Sequence, residues 1–242
     1  MAIVLFTDFG CEGPYIGQLE AVIDTMSPDA RVIHLLSNAP TADPVLSSYL
    51  LAALSKSFPQ NTIFLAVVDP GVGGQRAAVV LEADGQFFVG PDNGLLNTVA
   101  IQSGQYQWFE IVWRPDNCSN SFHGRDIFAP MAARLHTGSV KEFLQPVTSS
   151  FLNSWPAELY RIIYFDHFGN AITGIRYQEY FDGQSLLIHG IEVKQADTFC
   201  VVNEGDVFWY KNSAGLIEIA ANKQSVQIEL KLVLGDEIVT HR

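Results

Sequence analysis

Thr62-Ile63-Phe64-Leu65-Ala66-Val67-Val68-Asp69-Pro70-Gly71-Val72-Gly73-Gly74-Gln75-Arg76 is the stretch on which the fold turns. Its first seven residues are an almost unbroken apolar run, the pattern of a strand buried on both faces, and the run stops at an aspartate that opens a glycine-rich loop. Two similar runs precede it. Ala2–Thr7 also ends at an aspartate, Asp8, and Arg31–Leu36 forms a second strand. Between the first two, Ile16, Leu19, Ile23 and Met26 recur at helical spacing. Asp43-Pro44 is an N-cap with proline in the first turn, and Leu46, Tyr49, Leu50, Ala53 and Leu54 then share one helical face. Strand and helix alternate with short connections, which is the sequence form of a parallel sheet covered by helices.

Further along, Ala77–Ala83 and Gln86–Gly90 flank Asp84-Gly85 and predict a hairpin. A strand over Tyr106–Trp113 and a helix from Asp126 to His136 complete this half. Lys141–Glu158 has no sustained periodicity. Beyond it lie short β-rich segments at Arg161–Phe165, Ala171–Arg176, Ser185–Ile188, Phe199–Val202, Val207–Tyr210, Leu216–Ala220 and Val226–Leu230. Asp182-Gly183, Glu204-Gly205 and Ala214-Gly215 punctuate them, the pattern of a small barrel or sandwich. The expected organisation is an α/β domain over residues 1–145, a linker over 146–158, and a β-barrel-like domain over 159–242.

Composition narrows the function. Hydrophobic residues make up 48% and charged residues 17% of 242, enough apolar material for a sizeable core. Fourteen basic residues against 26 acidic ones leave a formal charge of −12, which disfavours nucleic acid as a partner and is compatible with a small cationic ligand. No apolar run reaches the ~20 residues of a membrane span, and Met1 leads directly into a strand rather than a signal peptide. Cys11, Cys118 and Cys200 are odd in number and form no CxxC pair, so free thiols in a reducing cytoplasm are expected.

In open parallel sheets ligands bind beyond the carboxyl ends of the strands, where Asp8 and Asp69 project. One such aspartate alone more often caps a turn; two at equivalent strand ends, each entering a glycine-rich loop, favour a site. The loop after Asp69 lacks the Gly-Lys-Ser/Thr of a phosphate-binding loop and the glycine spacing of a dinucleotide fingerprint. It can return Arg76 to Asp69, either as a loop brace or to orient an ionised carboxylate. His123, in Ser121-Phe122-His123-Gly124-Arg125-Asp126, sits beside a glycine just before a helix rather than on an apolar face, which favours a site residue. Arg125 and Asp126 bridge or cap. Asp92 and Asn93, in Pro91-Asp92-Asn93-Gly94, shape a turn into a short helix. In Asp166-His167-Phe168-Gly169-Asn170 a hairpin needs only Gly169 and Asn170, which leaves Asp166 as a surplus polar residue. No HExxH or G-x-S-x-G is present.

In this order the segments resemble the S-adenosylmethionine hydroxide adenosyltransferase family, relatives of the fluorinases and chlorinases. The resemblance rests on Thr7-Asp8-Phe9-Gly10 with Tyr15 and Gly17, on Val68-Asp69-Pro70-Gly71-Val72-Gly73 with Arg76, and on Pro91-Asp92-Asn93-Gly94. It continues through Phe122-His123-Gly124-Arg125-Asp126, Asp166 with Phe168-Gly169-Asn170, and Asn212-Ser213 with Gly215 and Glu218-Ile219-Ala220. It implies hydrolysis of S-adenosylmethionine to adenosine and methionine, without metal or other cofactor, in a homotrimer with sites between subunits. Carried over by residue, Asp69, Arg76 and His123 form the water-activating set. Asp8 holds the ribose hydroxyls, Asp166 the methionine ammonium, Asn170 the adenine and Ser213 the methionine carboxylate. Ala214 stands where the halogenating relatives carry arginine, Gly174 where asparagine is common, and Ile172 replaces an aromatic. Whether Asp69 or His123 takes the water proton is open at this level. The competing readings are a halogenase acting on the same substrate, a non-catalytic S-adenosylmethionine or adenosine sensor, and a metal hydrolase built on Asp8, Asp69 and Asp92.

Overall fold

A computed structural model describes residues 1–148 and 154–240. The chain forms two compact units, Met1–Trp155 and Pro156–Arg242. Residues 149–153, within the expected linker, lie outside the described residues.

The first unit runs β1 (Ala2–Thr7), α1 (Tyr15–Met26), β2 (Arg31–Leu36), α2 (Pro44–Ser55), β3 (Ile63–Val67), β4 (Ala78–Ala83), β5 (Gln86–Pro91), α3 (Asn97–Gln102), β6 (Tyr106–Ile111), α4 (Ala129–Thr137) and β7 (Leu144–Val147). Its seven strands lie in the order β2-β1-β3-β5-β4-β6-β7. The sheet is mixed: β1 pairs in parallel with β2 and β3, and β3 with β5, whereas β4, β6 and β7 join antiparallel. The β4–β5 turn has positive φ at Asp84 and Gly85, the geometry a two-residue hairpin demands. β7 occupies a stretch that carries no periodicity, because a four-residue edge strand needs only a neighbour, β6, to pair with.

Alternation along the central strands divides the core between the two faces of the sheet. Ile3, Leu5, Ile63 and Leu65 pack with Leu19 and Ile23 of α1 and Met131, Ala132 and Leu135 of α4. Val4, Phe6, Phe64 and Phe88 are equally buried, with Phe64 and Phe88 stacked at 4.7 Å. Asp43 caps α2 by accepting from the Leu46 N–H at 2.9 Å. That helix is buried almost all round, Ser47 and Ser48 included, as a sequence with no charged residue allows.

The second unit comprises β8 (Leu159–Phe165), β9 (Ala171–Arg176), β10 (Leu186–Ile188), β11 (Ile191–Gln195), β12 (Val207–Lys211), β13 (Leu216–Ala221), a short α5 (Val226–Glu229) and β14 (Val239–Thr240). The strand order is β14-β10-β11-β12-β13-β9-β8. Bonds from Ile162 N to Asp236 O and from Ile238 N to Tyr160 O, each 2.9 Å, bring β8 against the segment leading into β14. The sheet is thereby nearly closed, like a barrel, around Trp209, Phe181, Ile162, Ile175, Ile217 and Ile219.

Two expected strands are not strands. Phe199–Val201 is a single 3-10 turn, with Val201 65% exposed and no ladder partner. Val226–Glu229 is helical because Ser225 caps it, accepting from the Ile228 N–H, and only Val226 of its residues is buried. β11, whose Ile191-Glu192-Val193-Lys194 does alternate, and the two-residue β14 are strands beyond those expected.

Candidate active site

Parallel pairing of β1 with β3 sets Thr7 opposite Val67, so Asp8 and Asp69 leave the sheet at the same end on adjacent strands. Asp8 Oδ2 accepts from the Ala42 N–H at 2.9 Å. Burial raises the Asp8 pKa above the usual carboxylate value, and the like charge of Asp69 adds to the rise.

The loop after Asp69 folds back in successive turns, Val72 N to Asp69 O and Gly74 N to Gly71 O. At Gly73, with φ +80°, a Cβ would sit 2.3 Å from the Asn120 carbonyl oxygen, so only glycine lets this loop lie against the one that leads to His123. The fold-back delivers Arg76 to Asp69: Nε donates to Oδ1 at 2.7 Å and Nη2 donates to Oδ2, a bidentate pair with both side chains largely buried. The guanidinium lies 5.2 Å from the Phe128 ring centroid.

Arg76 Nη2 also lies 3.0 Å from His123 Nδ1. A guanidinium only donates, so Nδ1 accepts and the imidazole proton sits on Nε2. His123 is 2% exposed, and burial together with the Arg76 charge lowers its pKa, which keeps the ring neutral. A π-helical turn, Gly124–Phe128, follows and runs into α4. Asp126 and Arg125 brace this turn: the Asp126 carboxylate accepts from Ser119 N and Arg125 Nε, both 2.7 Å, and Arg125 Nη1 reaches Gln18 at 3.0 Å.

Asp8, Asp69 and His123 line one cavity of about 110 Å³ with Phe9, Val72 and Phe122. At ~30 Å³ per water it holds a few solvent molecules. Asn93 works behind it, donating to the Val68 carbonyl at 2.9 Å and so fixing the backbone just before Asp69. Asp92 stands apart from this cavity; burial and then Glu110 push its pKa up.

The other expected ligand residues belong to the second unit. Asp166 is not surplus to its hairpin: Oδ1 accepts from Phe168 N and Asn170 N, and Oδ2 accepts from Asn170 Nδ2, all at 2.9 Å. Gly169 is required there, since a Cβ would meet Ser225 Oγ at 2.0 Å. Asp166, Phe168, Asn170 and Tyr210 line a pocket of about 640 Å³, within the range of small-molecule sites. The Phe168 ring is 73% exposed beside it. Ser213 lies exposed at the β12–β13 turn and is not among the residues that line this pocket. Sequence reading passed over Tyr210 and left Glu218 without a role, although Glu218 belongs to a quoted motif.

Family models decide the lineage. The S-adenosylmethionine hydroxide adenosyltransferase N-terminal domain matches residues 3–144 and its C-terminal domain residues 160–239. The chain belongs to this family. A Thermus thermophilus relative named (R)-S-adenosyl-L-methionine hydrolase is 34% identical, over 96% of each chain. One of the same name from Salinispora arenicola is 31% identical over 96% of this chain and 94% of that one. A fluorinase from an Actinoplanes species is more distant, 21% identical over 96% of this chain and 95% of its own. The crystal structure of a conserved protein from Thermotoga maritima superposes with a TM-score of 0.90 at 32% identity, covering 99% of this chain and all of the other. Among the described residues, no helix is long and apolar enough to cross a membrane, and no group of three or more His, Cys, Asp or Glu is placed to hold a metal.

Proposed function

We propose that this protein hydrolyses S-adenosyl-L-methionine to adenosine and L-methionine, with water attacking the ribose C5′. The observation that carries the reading is the buried Asp69–Arg76–His123 network, whose Asp69 and His123 line a cavity with room for a few waters. As the water oxygen bonds to C5′, the C5′–S bond breaks and its electron pair neutralises the sulfonium. The leaving group is an uncharged thioether and needs no general acid. What remains is to align one water and remove its proton.

The hydrogen bonding divides those tasks. His123 Nδ1 is committed to Arg76, so Nε2–H donates to the water oxygen and orients it. Each Asp69 oxygen accepts from Arg76 and keeps a lone pair for the water proton. Asp69 is the base in this reading, and a positioned base contributes ~10²–10⁴ in rate. Two carboxylates on the cavity wall repel a halide, which argues against halogenation. The Arg76 charge on Asp69 likewise opposes a metal cation there, and no cofactor enters the proposed reaction.

Asp8 holds the ribose hydroxyls, Asp166 the ammonium, Asn170 the adenine and Ser213 the carboxylate of the substrate. The active form is a homotrimer, as the family resemblance implies, and the free thiols Cys11, Cys118 and Cys200 suit the cytoplasm. The relatives' names specify the (R) sulfonium, and the same epimer is proposed here.

The test is incubation with each sulfonium epimer in oxygen-18 water without added metal. Equal amounts of adenosine and methionine, with the label in the 5′-hydroxyl, are expected. Unlabelled adenosine overturns attack at C5′, and binding without turnover identifies a sensor instead.

A further inference from the structure

Glu218 is a buried carboxylate for which the reaction above has no use. It lies on β13, opposite Tyr210 of β12 and beside Ile172 of β9, and is 4% exposed. Its partners are neutral: Tyr210 Oη donates to Oε1 at 2.5 Å, Asn212 Nδ2 donates to Oε2 at 2.9 Å, and the Asn170 side chain, whose Nδ2 also donates to Asp166, hydrogen-bonds to it as well. Among the described residues no lysine, arginine or histidine pairs with it. Burial raises its pKa, and the like charge of Asp166 adds to the rise.

A charge taken out of water without a counter-ion is unfavourable, and a second charge of the same sign nearby makes it worse. Such an arrangement is relieved when a cation arrives. Asp166 and Tyr210 both line the pocket of about 640 Å³ in this unit, so the negative potential from Glu218 reaches that pocket through its hydroxyl partner. Glu218 also governs the β12–β13 turn. The Asn212 amide it holds accepts, through Oδ1, from Ala214 N at 3.0 Å and Leu216 N at 2.9 Å, closing the turn over Ser213.

We infer that Glu218 is a positioning and specificity-determining residue: a buried carboxylate, held by the neutral side chains of Tyr210, Asn212 and Asn170, that strengthens the pull of Asp166 on the α-ammonium of the substrate's amino-acid half and fixes the turn carrying Ser213. This rests on the proposed reading of Asp166 as the ammonium site. It assigns the charge of Glu218 to the recognition of methionine; the bond to Asn170 is one that a neutral glutamine amide can also make, so the loss of charge is what separates methionine from adenosine.

The experiment compares wild type with Glu218→Gln, which keeps shape and most hydrogen bonding but loses charge, and with Asp166→Asn. Calorimetry on the full chain measures L-methionine and adenosine separately, and steady-state assays give KM and kcat for S-adenosylmethionine. Glu218→Gln is expected to weaken methionine binding and raise KM by about 10-fold, with adenosine affinity and kcat within about 2-fold of wild type. A merely structural role would not separate the two product ligands. Equal weakening of both, no change in either, or a lower kcat at unchanged KM overturns the inference. If Asp166→Asn leaves methionine binding intact, the assignment of Asp166 fails instead. Should Glu218→Gln not fold, Tyr210→Phe, which removes one donor from the same carboxylate, is expected to weaken methionine more than adenosine, and the converse result overturns the inference equally.

Discussion

Replacing His123 by asparagine separates the two ways an imidazole can serve a water molecule. The ring faces the Arg76 guanidinium through Nδ1 at 3.0 Å, and that geometry leaves Nε2 as a donor. An asparagine Oδ1 takes the place of Nδ1, so Arg76 keeps its acceptor and its grip on Asp69 is undisturbed. What disappears is the one neutral N–H that the proposed reaction directs at water, and a neutral hydrogen bond contributes about 0.5–1.5 kcal/mol. At 1.36 kcal/mol per decade this is about a 2- to 13-fold loss in the chemical step. Loss of a general base would cost ~10²–10⁴ instead. The two ranges do not overlap, so single-turnover rates at saturating substrate discriminate between them. A loss of 10³ or more in a folded His123→Asn protein with wild-type substrate affinity would make the imidazole the base and refute the assignment to Asp69.

Asp69→Asn keeps the shape but removes the charge, and is expected to lower kcat by ~10²–10⁴ while substrate affinity, read by calorimetry, changes little. Acid should act through His123, whose pKa is depressed by burial, with Arg76 and Arg114 adding and the Asp69 and Asp126 charges opposing. The folded ring binds its proton less readily than the unfolded one, so stability is lost as pH falls below about 6.5, the ordinary histidine value. Melting temperatures between pH 7.5 and 5 should therefore fall more steeply for wild type than for His123→Asn, and parallel slopes would contradict the buried neutral ring. Gly73→Ala places a Cβ 2.3 Å from the Asn120 carbonyl at a positive φ, so the loop carrying Arg76 must shift. A destabilisation of about 1–3 kcal/mol is expected from the strained backbone, together with loss of most activity, both measurable on the same preparation.

What the sequence discloses of the fold is what periodicity can carry. The apolar runs ending at Asp8 and Asp69 specify buried neighbouring strands, and Asp43-Pro44 specifies a capped helix start, because each reports a local preference that tertiary packing reinforces. The misreadings fall where local preference is weak. Val226-Gln227-Ile228-Glu229 alternates like a strand, yet the Ser225 side chain caps it as a helix, and the cap outweighs an alternation only four residues long. Leu144–Val147 pairs as an edge strand with no pattern of its own, since the pairing is supplied by β6.

For the candidate site, single residues are legible and their partners are not. Asp69 and Arg76 are seven apart across a loop whose glycines advertise a tight return, so their pairing is foreseeable. Arg76 and His123 are 47 residues apart, and nothing along the chain announces that one donates to the other. That long-range bond carries the most chemical information, for it fixes the imidazole tautomer, on which the proposed choice of Asp69 as base rests. Asp166 shows the same limit from the opposite side. It looks surplus when a hairpin is reckoned from its turn residues, but its carboxylate accepts three hydrogen bonds from that turn. An oxygen that orders its own loop holds its remaining lone pairs in a fixed direction, so shaping the turn is compatible with the ammonium-binding role proposed for the same side chain.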